Sequence, residues 1–180
     1  MPPAARRQAA AVEVARRLVP ALATIGVYGW ALDRFLETLL RSDVGLVIDV
    51  RERRGVRGRE YSWANAGRLQ TALADAGVRY SHRKELAPTT ELRQLQYRED
   101  ARLGVGKRSR AELAPAYRER YLHEILDHVD LASLVAELPG DRASALLCVE
   151  RDPQACHRSL VAERLAGVGG VTVVHLLPET

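Results

Sequence analysis

Side chains that can carry out covalent or acid–base chemistry lie close together near the end of the chain. A thiol, a carboxylate, an imidazole and a guanidinium occur within the eleven residues from Cys148 to Arg158. Cys148 can act as a nucleophile if its pKa is lowered, with His157 as its base or proton donor. Glu150 can transfer protons, and Arg158 can hold an anion. We therefore predict a functional site in this segment.

The same segment also has a structural interpretation. Cysteine is among the residue types most often buried, so Cys148 can belong simply to the core. Asp152 and Pro153 would then only start the following helix, and Arg158 would pair with Glu150. The residue types by themselves leave both interpretations open.

Metal binding is a third interpretation of these residues. Glu150, Cys156 and His157 are of ligand type, as is Cys148, but their spacing does not match a common zinc pattern. Adjacent residues on a helix point about 100° apart, and we predict a helix over residues 156–166. We therefore predict no metal site, and we assign Cys156 to the substrate-binding residues.

Asp49 and Arg51 form a second candidate pair, at the end of the apolar run 44–50. Such a run is typical of a strand covered on both faces, and charged groups at the carboxyl end of a buried parallel strand are well placed for a site. Arg51 is predicted to hold a phosphate or carboxylate, and Asp49 to act as a general base or to orient a ligand hydroxyl. The alternative is an internal ion pair, Asp49 with Arg158 or Arg51 with Glu150.

Other residues are predicted to bind substrate in the same pocket. Thr24, Gly26 and Tyr28 close the first predicted strand, and Gly26 permits close approach of a ligand to the backbone. His82 follows the third predicted strand. We assign substrate binding to Arg51, Arg158, Thr24, Gly26, Tyr28, Tyr61, His82 and Cys156.

The segment 51–59 contains five arginines and predicts an exposed basic loop. Tyr61 and Trp63 follow it, and this mixture of positive charge with aromatic rings occurs at surfaces that bind nucleic acid. A solvated charged loop with no ligand is the alternative.

The hydrophobic pattern of the chain predicts the elements that must position these groups. Apolar runs predict strands at 23–27, 44–50, 78–81, 143–149 and 171–176. Helical spacing of apolar residues predicts helices at 32–40, 65–76, 118–128, 131–138 and 156–166. Residues 88–110 predict a helical piece and a mobile loop that covers the site. The alternation favours an α/β fold with a mostly parallel sheet and helices on both faces, a Rossmann-like three-layer arrangement.

Composition and charge restrict the class of protein. The 180 residues, 47% of them hydrophobic, suffice for one domain, which we place at 21–180, with residues 1–20 as an appended helix or loose arm. The net charge of +4 permits a polyanionic partner without requiring one. No apolar stretch approaches the roughly 18 residues of a membrane span, and no signal peptide is evident. We therefore predict a cytoplasmic protein without membrane contact, in which a structural disulfide between Cys148 and Cys156 is not expected.

Four motifs together resemble one protein family. They are Thr24-Ile25-Gly26, Asp49-Val50-Arg51, Gly77-Val78-Arg79-Tyr80 and Cys148-x-Glu150-x-x-Pro153-x-x-Cys156-His157-Arg158-Ser159. Over residues 23–176 the chain resembles the family called domain of unknown function 488. The resemblance implies an α/β fold with these motifs gathered at one site, and it implies no particular reaction.

These observations lead to a functional hypothesis with two alternatives. We predict an enzyme, of hydrolase or lyase type, that acts on a nucleotide, nucleic acid or related anionic substrate in a pocket formed by Asp49, Arg51 and residues 148–158. One alternative is a non-catalytic module that binds nucleic acid or protein through the basic loop 51–59. The other is a thiol-dependent redox or transfer protein that uses Cys148 and Cys156. No cofactor is predicted, and a monomer or homodimer is expected.

Overall fold

Five parallel strands form the centre of the molecule. A computed structural model describes residues 21–179, and the helix or arm predicted for residues 1–20 lies outside this range. The sheet has the strand order β3-β2-β4-β1-β5, and every strand pair is parallel. The predicted α/β class and parallel sheet are confirmed. The strands are β1 (Leu22–Gly26), β2 (Val44–Asp49), β3 (Arg79–His82), β4 (Ala143–Cys148) and β5 (Val173–Leu176).

Helices connect the strands, as parallel pairing requires. They are α1 (Leu32–Arg41), α2 (Ala66–Asp75), α3 (Thr90–Leu103), α4 (Pro115–Glu124), α5 (Leu131–Ala136) and α6 (His157–Gly169). Short 3-10 turns cover Arg59–Ala64, Lys84–Leu86, Leu126–His128 and Pro153–Ala155. Within residues 21–179, no helix has both the length and the apolar character that crossing a membrane requires.

The helices cover both faces of the sheet. Successive residues of β4 alternate between two hydrophobic clusters: Ala145 packs with side chains of α1 and α2, whereas Leu146 packs with side chains of α3, α4, α5 and α6. This alternation is the period of two that places neighbouring strand residues on opposite faces. Cys148 continues the second set, so its side chain lies on the α3–α6 side. The arrangement is consistent with the predicted three layers.

The carboxyl ends of the central strands meet at one edge of the sheet. Cys148 at the end of β4 pairs with Gly26 at the end of β1, and Asp49 at the end of β2 pairs with Leu147. From β2 the chain moves outward to β3, whereas from β4 it crosses in the opposite direction to β5. Such a reversal leaves a crevice outside the strand ends, where open α/β sheets bind ligands.

The start of α6 differs from the sequence prediction. Cys156 is not part of the helix but its N-cap, with extended backbone angles of φ −139° and ψ 140°. Asp152 and Pro153 do not start the α-helix either, because Pro153 begins a separate 3-10 turn. The proline ring fixes φ and suits the first position of a helical turn. The turn ends after Ala155, and the extended residue that follows redirects the chain before the helix begins.

Candidate functional site

A cavity of about 460 Å³ lies at this carboxyl edge, beside the end of β4. Its lining includes Arg51, Cys148, Glu150, Cys156 and His157. Residues of the loop after β2, of α3 and of the segment between α3 and α4 supply other parts of the wall. The volume falls in the range of small-molecule sites, roughly 300–1,000 Å³. The cavity is therefore the candidate site.

The reactive side chains of the β4–α6 segment converge in this cavity. The two cysteine sulfurs and a ring nitrogen of His157 all lie within 4.8 Å of one another. The Sγ atom of Cys148 is 3.8 Å from Nδ1 of His157 and 3.5 Å from Oε2 of Glu150. All four side chains are buried. The structure thus brings Cys148, Glu150, Cys156 and His157 together as one cluster.

The orientation of the His157 ring follows from its outer hydrogen bond. Nε2 lies 3.0 Å from the backbone oxygen of Val50. Because a carbonyl oxygen can only accept, Nε2 carries the hydrogen and donates it. In the neutral ring, Nδ1 then presents a lone pair toward Cys148. His157 can therefore take a proton from a thiol or bind a metal ion through Nδ1.

The two thiols differ in their tendency to ionise. The hydrogen bond with Cys156 and burial raise the pKa of Cys148 well above its ordinary value. Burial opposes ionisation of Cys156 too, but the hydrogen bond from Cys148 and the positive charge of Arg158 lower the pKa of Cys156 well below its ordinary value. The N-terminus of α6 favours a thiolate at Cys156 in addition. A lowered pKa, which the sequence analysis made the condition for a nucleophilic Cys148, is found at Cys156 instead.

Glu150 lies between the thiols and two cations. Its Oε1 atom is 3.6 Å from Nζ of Lys107 and 3.8 Å from Nη1 of Arg110. Burial raises the pKa of the Glu150 carboxyl, and the charge of Lys107 opposes that rise. Burial lowers the pKa of His157, but contact with the Cys156 sulfur outweighs it and the net shift is upward. Glu150 and His157 are thus placed for proton transfer in the cavity.

Asp49 and Arg51 pair with each other. Arg51 donates from Nε to Oδ1 of Asp49 at 2.8 Å and from Nη2 to Oδ2 at 2.6 Å. It also donates from Nη1 to the backbone oxygen of Ala64 at 2.9 Å, and the Tyr80 hydroxyl donates to Asp49 at 2.6 Å. The ion pairs weighed from the sequence, Asp49 with Arg158 and Arg51 with Glu150, do not form. Arg51 lines the cavity, but Asp49 is fully buried behind it.

Arg158 supports the site from behind. Its side chain is fully buried, and the cavity lining does not include it. Nη1 donates to the backbone oxygen of Glu150 at 2.6 Å, and Nη2 donates to that of Arg151 at 2.8 Å. The predicted pairing of Arg158 with Glu150 therefore involves the backbone and not the carboxylate. Arg158 holds the turn after β4 and thereby positions Glu150.

Gly26 packs against the turn after β4, and Thr24 contacts Arg158, which holds that turn. The hydroxyl of Thr24 lies 2.8 Å from Nδ1 of His175 and 3.4 Å from Nε of Arg158. A Cβ atom at Gly26 would lie 1.8 Å from the backbone oxygen of Glu150. Glycine is thus required here for close approach of the protein's own backbone, whereas the sequence suggested close approach of a ligand.

The remaining predicted substrate-binding residues divide into lining and supporting positions. Tyr28 lines the cavity, and the ring of Tyr61 packs against it with 5.1 Å between centroids. Nε2 of His82 is 2.8 Å from the backbone oxygen of Arg51, so His82 braces the loop after β2. Tyr28, Arg51 and Cys156 line the cavity, whereas Thr24, Gly26, Tyr61, His82 and Arg158 are absent from its lining.

The sequence analysis named no individual site residue in the segment between β3 and β4. Residues 88–110 were expected to cover the site, and Gln96, Lys107 and Arg110 do line it. Arg110 donates from Nε to Asp100 at 2.8 Å and from Nη1 to the backbone oxygen of Ala155 at 3.3 Å. The basic residues of the glycine-containing loop 104–110 were visible in the sequence. Which of them face the cavity depends on partners that are distant in sequence.

The cluster also provides a donor set for a metal ion. Cys148, Cys156 and His157 each offer one ligand atom within the mutual limit of 4.8 Å. The expectation of no metal site relied on a spacing that matches no common zinc pattern and on Cys156 and His157 being neighbours on a helix. Because Cys156 is extended and only His157 is helical, the divergence of about 100° between adjacent helical residues does not apply.

Comparison with known proteins identifies a family. Neither the search of curated proteins nor the search of solved structures found a match. Residues 31–165 match the family described as Domain of unknown function DUF488. The match contains the Asp49-Val50-Arg51 motif and the whole segment 148–158, whereas Thr24-Ile25-Gly26 lies outside it. Because the match covers well over half of the chain, this protein belongs to the DUF488 family.

Proposed function

We propose that this chain is an enzyme that acts on a small anionic substrate, such as a nucleotide, in the cavity at the end of β4. One observation carries the proposal: the same cavity is lined by reactive side chains and by cationic ones. The reactive group consists of Cys148, Glu150, Cys156 and His157. The cationic group includes Arg53, Arg57, Arg93 and Lys107.

The cations differ in their availability to a ligand. Arg51 and Arg110 are engaged with buried aspartates and backbone oxygens. In contrast, Arg53 and Arg57 form no ion pair with a carboxylate of residues 21–179. Lys107 contacts only Glu150 among those carboxylates. An anion in the cavity is therefore best held by Arg53, Arg57 and Lys107, and not by the predicted Arg51 and Arg158.

Glu150 is the acid–base residue of this proposal. It lies beside Lys107 on one side and beside the Sγ atom of Cys148 on the other. An anionic group bound at Lys107 brings its neighbouring atoms to the Glu150 carboxyl, which is the reach that proton transfer needs. His157 supplies a second proton-transfer group in the same cluster. A hydrolase or lyase reaction uses such a pair of groups.

The basic loop provides the main competing function, a surface that binds nucleic acid. Arg53 and Arg57 line the cavity, whereas Arg54 and Arg59 of the same loop are absent from the lining. This division supports a small ligand in the cavity over an extended polyanion on the outer surface. The two functions differ in which arginines they require.

A matched pair of variants separates them. Binding of adenosine monophosphate and of inorganic phosphate is measured by calorimetry for wild type, Arg57→Gln, Lys107→Gln and Arg59→Gln. Loss of a charged contact in the cavity weakens binding of one of these probes about tenfold, which corresponds to roughly 1.4 kcal/mol, in Arg57→Gln and Lys107→Gln. Arg59→Gln removes the same charge outside the cavity and retains wild-type affinity.

The nucleic-acid alternative predicts a different pattern. A single-stranded oligonucleotide would bind wild type tightly, with a steep dependence on salt, and Arg57→Gln and Arg59→Gln would weaken it equally. That result would replace the proposed enzyme with a binding module. If neither phosphate probe binds wild type, the anionic substrate is contradicted.

Turnover provides the second measurement. Wild type and Glu150→Gln are incubated with a panel of nucleotides and phosphate esters, and products are identified by mass spectrometry. We expect wild type to form a product. We expect Glu150→Gln to bind the same substrate but to form product at least a hundredfold more slowly, because it lacks the general acid or base. Equal rates would remove Glu150 from the mechanism.

A further inference from the structure

The distances in the cysteine–histidine cluster fit a tetrahedral metal ion. Zinc binds thiolate sulfur at about 2.3 Å and imidazole nitrogen at about 2.0–2.1 Å, which places its ligand atoms roughly 3.5–3.8 Å apart. The Sγ atom of Cys148 and Nδ1 of His157 are already 3.8 Å apart. The Cys156 sulfur lies within 4.8 Å of both. Only small side-chain movements separate this geometry from that of a bound ion.

The backbone explains how two adjacent residues can both face the ion. Cys156 is extended and His157 is the first residue of α6. The change from extended to helical backbone between them directs both side chains to the Cys148 sulfur at the end of β4. Strand, N-cap and helix thus each contribute one ligand, and none lies on a flexible terminus.

The surroundings of His157 and of the sulfurs resemble the outer shell of a metal centre. Metal-binding histidines usually donate their other ring N–H to a carbonyl or carboxylate, which fixes the ring. His157 does this through Nε2, which donates to the backbone oxygen of Val50 at 3.0 Å. A divalent ion with two thiolates and a neutral imidazole has no net charge, so the cluster can be buried with an ion bound. Two thiolates and an imidazole favour zinc over hard ions such as magnesium or calcium.

Glu150 flanks the fourth position. Its Oε2 atom lies 3.5 Å from the Cys148 sulfur, while Oε1 is held by Lys107 and Arg110. The cluster lines the cavity, so a fourth ligand reaches it from there. Three protein ligands with an open position are the arrangement of catalytic zinc sites, whereas structural sites are closed by four.

We propose that Cys148, Cys156 and His157 bind one zinc ion, with the fourth position open to the cavity beside Glu150. The inference goes beyond the proposed function, because it concerns metal binding and needs neither an anionic substrate nor turnover. With zinc bound, Nδ1 of His157 is a ligand and Nε2 donates to Val50, so proton transfer falls to Glu150 alone. Its ligands are also distinct from Arg57 and Lys107, which the anion-binding test removes.

Cobalt substitution tests the donor set. The full chain is reduced, freed of metal and titrated with Co²⁺. We expect saturation at one equivalent, with sulfur-to-cobalt charge-transfer absorption and the intense visible bands of a tetrahedral site, followed by bleaching when zinc is added. Cys148→Ser, Cys156→Ser and His157→Gln each weaken cobalt binding by more than the roughly 10–100-fold that an outer-shell change costs. His123→Gln, which alters an exposed imidazole outside the cavity, retains the spectrum.

A second measurement does not depend on the folding of variants. Alkylation of Cys148 and Cys156 in wild type is followed by peptide mass spectrometry with and without zinc, and zinc protects both sulfurs. If wild type gives no charge-transfer band and zinc protects neither sulfur, the site is overturned.

The open fourth position has its own test in Glu150→Gln. This variant should keep the cobalt stoichiometry and the sulfur bands; if it abolishes cobalt binding, Glu150 is a ligand and the open position is wrong. Failure here leaves the phosphate-binding measurement unaffected, and the converse also holds.

Discussion

The ends of β2 and β4 lie side by side at the same edge of the sheet, and they differ in how fully their polar groups are used. At β2, both carboxylate oxygens of Asp49 accept hydrogen bonds, and Arg51 donates to Asp49 and Ala64. At β4, Cys148 and Cys156 are free thiols that face a cavity. The β2 end is a closed ion-pair network, and the β4 end is an open cluster of soft donors.

Position at the end of a parallel strand is therefore not sufficient for a functional site. Charged groups at a parallel-strand edge are well placed for function, yet those of β2 satisfy one another. A buried charge requires such satisfaction, because an unpaired one costs several kcal/mol. The thiols and the imidazole at the end of β4 also contact one another, but all three side chains line the cavity, so they remain available to a ligand. Stability should therefore depend on the β2 end, and chemistry on the β4 end.

Breaking the β2 network should have the largest effect on stability. Asp49→Asn leaves the Arg51 guanidinium buried without its counter-charge and removes an acceptor from Tyr80. We expect the free energy of unfolding to fall by about 3–5 kcal/mol in urea denaturation. Glu60→Gln, which alters an exposed ion pair with Arg108, should cost less than about 1 kcal/mol. A loss below 1 kcal/mol in Asp49→Asn would contradict the comparison.

Removing the support behind the β4 end should have the next largest effect. Arg158→Met leaves the backbone oxygens of Glu150 and Arg151 without their buried donor. We expect a loss of about 2–3 kcal/mol, because unsatisfied buried acceptors keep their desolvation cost. Arg164→Met on the same helix removes only an exposed pair with Asp127 and serves as the control. Equal losses in the two variants would show that the hydrogen bonds from Arg158 to the turn after β4 stabilise the fold no more than an exposed ion pair does.

The Asp100–Arg110 pair extends the comparison to the cavity wall through pH. Burial opposes ionisation of Asp100, but the hydrogen bonds from Arg110 and Gln96 outweigh it and hold the pKa below the ordinary 3.8. A depressed folded pKa gives stability that is fully present above pH 3.8 and is lost as pH falls toward the lower folded value.

Between neutral pH and about pH 3, we expect the unfolding free energy of wild type to fall by more than that of Asp100→Asn. The difference between the two falls should be smaller than the loss that Arg158→Met causes. The measurement is urea denaturation of both proteins at the two pH values. Parallel pH profiles would mean that the pair contributes nothing.

Truncation within the β4 cluster should have the smallest effect on stability. Cys148→Ala removes one buried sulfur without leaving a charge unpaired, so we expect a loss of about 1 kcal/mol, a typical value for a point mutation. Product formation in the turnover assay should nevertheless fall sharply, because the variant alters the reactive cluster. A loss comparable to that of Asp49→Asn would make the β4 end as structural as the β2 end.

Much of the fold could be predicted from local pattern. The continuous apolar runs of β2 and β4 and the helical spacing at Phe35 and Leu39 depend only on neighbours along the chain. The boundary at Cys156 could not, because the extended residue before α6 follows a 3-10 turn that sequence periodicity does not reveal. The extended backbone of Cys156 is the reason that its side chain and that of His157 converge.

The candidate site was predictable in composition and not in assignment. The segment 148–158 was recognisable because reactive residue types are concentrated there. The roles of Arg51, Arg158 and Lys107 were not, because a guanidinium's role depends on which oxygens lie within its reach. Lys107 lies more than forty residues from Glu150 in the sequence, and no local signal joins them.

The α/β architecture and the segment that carries the reactive groups could be predicted without a structure, because hydrophobic periodicity and residue type are local properties. Which polar groups neutralise one another, and which remain available to a ligand, depends on the folded arrangement of the chain. Asp49 accepts hydrogen bonds from Arg51 and Tyr80, and Arg158 donates to two backbone oxygens. Cys148 lies beside Cys156 and His157. Whether a buried polar group has a hydrogen-bond partner depends on its neighbours in space, and these are often distant in sequence.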